Sequence, residues 1–180
     1  MKKYIYEAKN YNEAKRKALT ELEVDEKNVI INIIEEKQGL LKKGTKIEVI
    51  TINDVLSYLK AKISEILSLM NVESNLEIRR NEGNIEINIF SNRNSTLIGK
   101  EGKILDSLQG IMRQILKKET ASDLKLVLDV ENYKEHRITN IERTARKIAR
   151  EVAKTKVEAN LEPMNSYERR VVHNTLSKNK

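Results

Sequence analysis

Two glycines placed three residues apart could form a turn that binds phosphate. Gly99 and Gly102 enclose Lys100 and Glu101. Lys103 follows directly. Glycine adopts the backbone angles of a sharp turn, and the free amide N–H groups of such a turn attract an anion where a helix begins. Because one lysine lies inside the turn and a second just after it, we predict that this loop holds a phosphate group.

The sequence on both sides of these glycines has a helical pattern. Apolar residues recur at positions 104, 105, 108, 111, 112, 115 and 116, as one face of a long amphipathic helix requires. A Gly-x-x-Gly loop between two helices resembles the KH arrangement, which clamps about four nucleotides of single-stranded RNA or DNA. The alternative is a tight turn in which the glycines only cap helices. The predicted RNA-binding residues are Ile98, Gly99, Lys100, Glu101, Gly102 and Lys103.

A second group of candidate binding residues is basic and lies toward the C-terminal end. Residues 132–180 hold 12 basic and 6 acidic residues, which accounts for most of the formal charge of +7. Arg169 and His173 are one helical turn apart, so both side chains can reach the same phosphate. A preceding helix carries basic residues along one side, for which an ordinary solvated face is the alternative. The predicted nucleic-acid-binding residues of this region are Arg169, Arg170, His173, Arg143, Lys147 and Arg150.

The composition argues against an enzyme and against a metal site. The chain has no cysteine and two histidines, so thiol nucleophiles, disulfides and cysteine-ligated zinc are excluded. The sequence contains neither a Walker-type phosphate loop nor the Gly-x-Ser-x-Gly turn of serine hydrolases. We therefore predict no catalytic residue, no metal and no cofactor. No signal peptide and no membrane-spanning apolar run is recognisable, which predicts a cytoplasmic protein.

The apolar periodicity predicts an α+β chain of three small modules. Residues 1–52 are predicted to form a βαββ unit, residues 53–131 an αββααβ unit, and residues 132–180 a helix–strand–helix unit. Strands are predicted at 3–8, 28–34, 45–51, 76–79, 85–90, 124–130 and 157–161, and helices at 11–23, 53–70, 104–116, 132–156 and from 165 onward. Asn132 and Asn165 are predicted to cap the last two helices, each with a glutamate three residues later.

Three segments resemble the bacterial Jag family, which is also called KhpB or EloR. They are the loop at 37–41, residues 98–109 and residues 161–173. The resemblance implies a Jag N-terminal domain at 1–52, a type II KH domain at 53–131 and an Arg-x-x-x-His (R-3-H) domain at 132–180. It also implies that Arg169 and His173 contact nucleic acid.

The same resemblance implies a biological role and partners. Members of the family are cytoplasmic RNA-binding regulators of cell elongation, division and shape. The implied partners are single-stranded RNA and either a small protein that is a single KH domain or a second copy of the chain. The N-terminal domain is implied to communicate with the membrane-insertion or division machinery.

Two features differ from the family pattern, and two other functions stay open. Family members continue past the Arg-x-x-x-His helix into a further strand, so the last module is expected to be truncated or to lack that strand. The connection at 51–53 is short, so the first two modules are expected to lie close together. One alternative is a protein-interaction scaffold that dimerises through its KH domain, which Glu101 supports because its carboxylate repels phosphate. The other is a single-stranded DNA binder.

Overall fold

The computed structural model describes residues 1–38, 43–81 and 83–177. Residues 39–41 of the predicted loop at 37–41 therefore lie outside the described residues, as do residues 178–180 at the end of the chain. The elements are β1 (Tyr4–Ala8), α1 (Tyr11–Glu21), β2 (Val29–Gln38), β3 (Lys43–Thr51), α2 (Ile52–Leu69), β4 (Ser74–Asn81), β5 (Asn84–Ser91), α3 (Asn94–Ile98), α4 (Lys103–Thr120), β6 (Lys125–Val130), α5 (Tyr133–Thr155) and α6 (Ser166–Ser177).

The first sheet, β1–β3–β2, is antiparallel throughout and carries α1 on one face. Asn10 begins the helix because its side-chain oxygen accepts a hydrogen bond from the N–H of Glu13 at 2.9 Å. Ala14 and Ala18 are fully buried, since their small side chains let the helix approach the strands closely. The buried apolar residues of this unit form a small core of their own.

The second sheet, β4–β5–β6, positions the 99–102 loop. β4 and β5 are antiparallel, whereas β5 and β6 are parallel and are connected through α3, the loop and α4. Ile85, Ile87 and Ile89 alternate into the core, as a half-buried strand requires. They pack against the apolar faces of α2 and α4, so the loop between α3 and α4 is held at one end of a well-packed core.

The first two modules are in contact, as the short connection predicts. β3 continues into α2 with Thr51 as the cap, whose Oγ1 accepts from the N–H of Asp54 at 3.1 Å. Asn32 Nδ2 of β2 donates to the carbonyl oxygen of Thr120 at the end of α4, at 2.9 Å. Arg80 Nη2 of β4 donates to the carbonyl oxygen of Lys27, at 2.6 Å. Ile50, from the first sheet, is buried in the core of the second.

The predicted strand at 157–161 is wrong. The structure has no strand between α5 and α6, and Val157 is 66% exposed. An alternating pattern forms a strand only when a partner supplies hydrogen bonds, and neither three-stranded sheet of the described residues includes this segment. The last module is therefore a pair of packed helices in the described part of the chain.

One of the two predicted helix caps is wrong and the other is confirmed. Asn132 has a φ of +60° and makes no capping hydrogen bond. Asp129 Oδ1 instead accepts from the N–H of Lys134 at 3.2 Å. At the last helix Asn165 Oδ1 accepts from the N–H of Glu168 at 2.9 Å, and Glu168 Oε2 accepts from the N–H of Asn165 at 3.0 Å. This reciprocal pair is the predicted capping box.

Within the described ranges, no helix is both long enough and apolar enough to cross a bilayer.

Candidate nucleic-acid interface

The 99–102 loop has a backbone that requires glycine at its first position. Gly99 has a φ of +69° and a ψ of −177°, a combination that L side chains rarely adopt. A Cβ atom at this position would lie 2.6 Å from Cγ1 of Ile104. The loop then turns into α4, with Lys100 exposed to solvent. This arrangement leaves a lysine at the tip of a tight turn that precedes a helix.

Gly102 is covered by the first residue of α5. Its φ is +81°, and an added Cβ would lie 3.0 Å from Cε1 of the Tyr133 ring. Gly102 is buried beneath that ring. Burial in turn raises the pKa of the Tyr133 hydroxyl. The loop is therefore in contact with the start of α5 on the side of its second glycine.

The carboxylate of Glu101 is turned away from solvent. Glu101 has a φ of +57°, and its side chain is 13% exposed. Its Oε2 lies 3.4 Å from Nζ of Lys103. The negative charge inside the loop is thus partly offset by the lysine that follows it, while Lys100 is exposed to solvent.

The outer edge of β6 is occupied by side chains. Gln109 Oε1 accepts from the N–H of Leu128 at 2.9 Å, and Arg113 Nε donates to the carbonyl oxygen of Leu126 at 2.8 Å. Gln109 Oε1 also accepts from Lys134 Nζ at 2.8 Å. Burial lowers the pKa of this lysine. These contacts fix the start of α5 against α4 and β6.

A groove of about 890 Å³ lies where α4, α5 and α6 meet, and we call it the α4–α6 groove. It begins at Glu101 and Gly102 of the loop and ends at the start of α6. Tyr133 lines it from α5, and Tyr167 lines it from α6 with 66% of its surface exposed. The groove therefore extends from the loop to the C-terminal helix pair, although Arg169, Arg170 and His173 do not line it.

An ion pair joins α6 to α5. Arg137 Nε donates to Glu168 Oε1 at 2.9 Å, and Glu168 is 5% exposed. The hydrogen bond to this carboxylate raises the pKa of Arg137. Because Glu168 also closes the capping box with Asn165, one carboxylate fixes both the start of α6 and its position on α5.

The predicted phosphate-binding pair lies on the exposed side of α6. Arg169 and His173 are both exposed, and Arg169 Nη2 donates to Ser166 Oγ at 3.1 Å. Arg170 is exposed as well. Their positions leave all three side chains accessible to a ligand.

The predicted basic side of α5 forms a second surface groove, which we call the α5 basic groove. It brings Arg143, Lys147 and Arg150 together. Arg146 and Lys154 also line it. Arg146 is an addition to the predicted set, and it pairs with Glu142 at 3.1 Å. Thr139 lines both grooves, so the two meet at that residue.

Sequence reasoning did not find the residues that join the loop to the C-terminal helices. No sequence pattern links the loop glycines to Tyr133, Lys134 and Arg137, because the contacts of these three residues depend on how α5 packs. Glu168 did carry a signal, since it closes the predicted capping box. The described residues contain no cluster of three or more histidine, aspartate or glutamate side chains placed to bind a metal ion.

Two family models match parts of this chain. The model described as Jag N-terminus matches residues 6–52, and the model described as R-3-H domain matches residues 139–180. Among curated proteins, the RNA-binding protein KhpB of Clostridium symbiosum is 33% identical over 180 residues, which covers 96% of this chain and 81% of that protein. The RNA-binding protein KhpB of Bacillus subtilis is 29% identical over 174 residues, which covers 94% of this chain and 84% of that protein.

Proposed function

The chain belongs to the Jag/KhpB family, and from this premise we propose that it is a cytoplasmic regulator that binds single-stranded RNA at two places. One place is the 99–102 loop, within a KH domain at 53–131. The other is the exposed side of α6, within an R-3-H domain at 132–180. The names of the relatives support RNA as the ligand. The family resemblance alone supports a role in cell elongation, division and shape.

The observation that carries this proposal is the geometry of the loop. Gly99 is fixed as glycine by its backbone angles and by the closeness of Ile104. Lys100 and Lys103 are exposed on either side of Glu101, which pairs with Lys103. A loop with outward lysines suits a sugar–phosphate backbone, and side chains around it can then contact the bases.

A scaffold function is the second candidate, and α4 supports it. Ile104 is 42% exposed and Ile111 is 54% exposed. A Cβ added at Gly110 would meet nothing within 4 Å, so another helix could approach closely there. A small protein consisting of one KH domain, or a second copy of this chain, would fit this surface. The N-terminal domain at 1–52 would then carry a link to the membrane-insertion or division machinery.

The salt dependence of RNA binding tests the role of the loop. For single strands, the slope of log affinity against log salt is about −0.7 per neutralised phosphate. Changing both Lys100→Gln and Lys103→Gln should therefore reduce the magnitude of the slope by up to ~1.4. Fluorescence anisotropy with a labelled single-stranded RNA measures the slope, and a DNA probe of the same sequence tests the DNA alternative.

The matched control replaces two exposed lysines that lie outside the loop and the C-terminal helices. Lys17 lies on α1 and Lys60 on α2. Replacing both by glutamine lowers the net charge by the same amount as the Lys100/Lys103 variant does. It should leave the slope of log affinity against log salt unchanged. An unchanged slope for the Lys100/Lys103 variant, together with altered sedimentation, would instead favour the scaffold.

A further inference from the structure

We propose that Tyr133 is a positioning residue for RNA binding: its ring, on the first turn of α5, holds the 99–102 loop in its binding conformation. The inference rests on the proposed function, since the loop is one of the two RNA-binding elements. It makes α5, which the predicted boundary at residue 131 places in the last module, a structural part of the KH loop.

The 99–102 loop has a backbone conformation that depends on its surroundings. Gly99, Glu101 and Gly102 all have a positive φ. Glu101 is not a glycine, and a left-handed conformation of such a residue persists only where its surroundings fix it. The N–H of Gly102 donates across the loop to the carbonyl oxygen of Gly99 at 3.4 Å, which is long for a hydrogen bond. Contacts from outside the loop therefore stabilise this conformation.

Two side chains outside the loop pack against its glycines. Ile104 lies against Gly99, where an added Cβ would be 2.6 Å from Cγ1. The half-buried ring of Tyr133 lies against Gly102, where an added Cβ would be 3.0 Å from Cε1. Ile104 belongs to α4, which follows the loop directly, whereas Tyr133 reaches the loop from α5. The tyrosine is therefore the contact that fixes the loop from outside α3 and α4.

Tyr133 is itself placed by the end of β6. The N–H of Glu131 donates to a carbonyl oxygen of β5 at 3.2 Å, and Asp129 Oδ1 accepts from the N–H of Lys134 at 3.2 Å. These two hydrogen bonds anchor the backbone on both sides of Tyr133 to the second sheet. The ring is also packed against the core of that sheet. Tyr133 therefore contacts Gly102 from a fixed base.

Amide hydrogen exchange in the absence of RNA tests whether the ring holds the loop. In Tyr133→Ala the amides of residues 99–103 should exchange faster, whereas those of α2 should be unchanged. Tyr133→Phe should behave like the unchanged protein, because a ring carbon lies nearer to the Gly102 position than the hydroxyl does. Tyr167→Ala is the matched control, since Tyr167 also lines the α4–α6 groove but does not pack on the loop glycines.

Binding of a labelled uridine 12-mer tests whether the position of the loop matters for RNA. Tyr133→Ala should weaken binding by about 5-fold, the factor that corresponds to the smallest cost of one strained backbone residue. Adding Lys100→Gln and Lys103→Gln to this variant should reduce the slope of log affinity against log salt by clearly less than ~1.4. The two effects overlap because both act through the loop.

A tyrosine that contacts RNA directly would give a different result. Tyr133 lines the groove, and an aromatic ring there could stack on a base. In that case the exchange of the loop amides would not change, and the two lysines would keep their full effect on the slope.

The α6 site provides an internal comparison. Arg137 joins α6 to α5 through Glu168, and Tyr133 takes no part in that ion pair. The combined change Arg169→Ala and His173→Ala should therefore lower RNA affinity by the same factor with and without Tyr133→Ala.

The outcomes separate this inference from the proposed function. Unchanged exchange of the loop in Tyr133→Ala, or a full lysine effect in that variant, would overturn the inference and leave RNA binding in place. Faster exchange in α2 as well as in the loop would also overturn it, since the ring would then support the whole core. If the 12-mer does not bind the unchanged protein, the proposed function fails, and the exchange measurement alone decides whether the ring holds the loop.

Discussion

Replacing Glu168 by alanine is expected to release α6 from α5, with a loss of about 3–5 kcal/mol from the free energy that holds the helix in place. Glu168 is 5% exposed and pairs with Arg137 Nε at 2.9 Å. Its removal leaves the guanidinium half-buried without its carboxylate, and removing one partner of such a pair costs more than the pair itself contributes. The capping box with Asn165 is lost as well.

Amide hydrogen exchange measures this effect element by element. The amides of α6 should exchange faster in Glu168→Ala, whereas those of α2 and α4 should be unchanged, because they belong to a separate core. Glu162→Ala is the matched control, since Glu162 is exposed and lies in the same connection before α6. Equal protection of α6 in both variants would show that the ion pair does not position the helix.

The double change Arg169→Ala and His173→Ala is expected to weaken single-stranded RNA binding by about 10- to 100-fold. A hydrogen bond from a charged donor contributes roughly 1.5–3 kcal/mol, and about 1.4 kcal/mol corresponds to a factor of ten. Both side chains are exposed on α6, and neither takes part in the Arg137–Glu168 pair. Anisotropy should therefore detect a loss of affinity without a change in thermal melting.

A control with the same residue types excludes a general charge effect. Arg16 on α1 is exposed, as is His136, the only other histidine of the chain. Changing Arg16→Ala with His136→Ala should leave the affinity unchanged. If both double variants bind RNA like the unchanged protein, Arg169 and His173 have no role in binding.

Local patterns predicted most of the elements because each of those elements is stabilised by its own sequence. The apolar residues of α4 recur at helical spacing, and Leu105, Leu108 and Met112 are buried as that spacing predicts. The 99–102 loop was predicted from glycines whose backbone angles require them. The capping box at Asn165 was found because both of its partners lie within one helical turn.

The errors occurred where the outcome depends on distant residues. The segment 157–161 alternates like a strand, yet an alternating pattern does not say whether a partner strand is present. Asn132 has the residue type of a cap but adopts a φ of +60°, since Asp129 takes over the capping bond. The contact of Tyr133 with Gly102 joins two modules, and no short-range pattern encodes such a contact. The groove between α4, α5 and α6 could therefore be recognised only from the structure.

The most direct test of the central claim is to locate bound RNA on the protein. A single-stranded RNA with photoreactive 4-thiouridine is crosslinked to the full chain, and mass spectrometry identifies the attached peptides. The proposed function predicts crosslinks in peptides from the 99–102 loop and from α6. In the double variant Arg169→Ala, His173→Ala, the crosslinks to α6 should be lost. Crosslinks confined to residues 1–52 would contradict it.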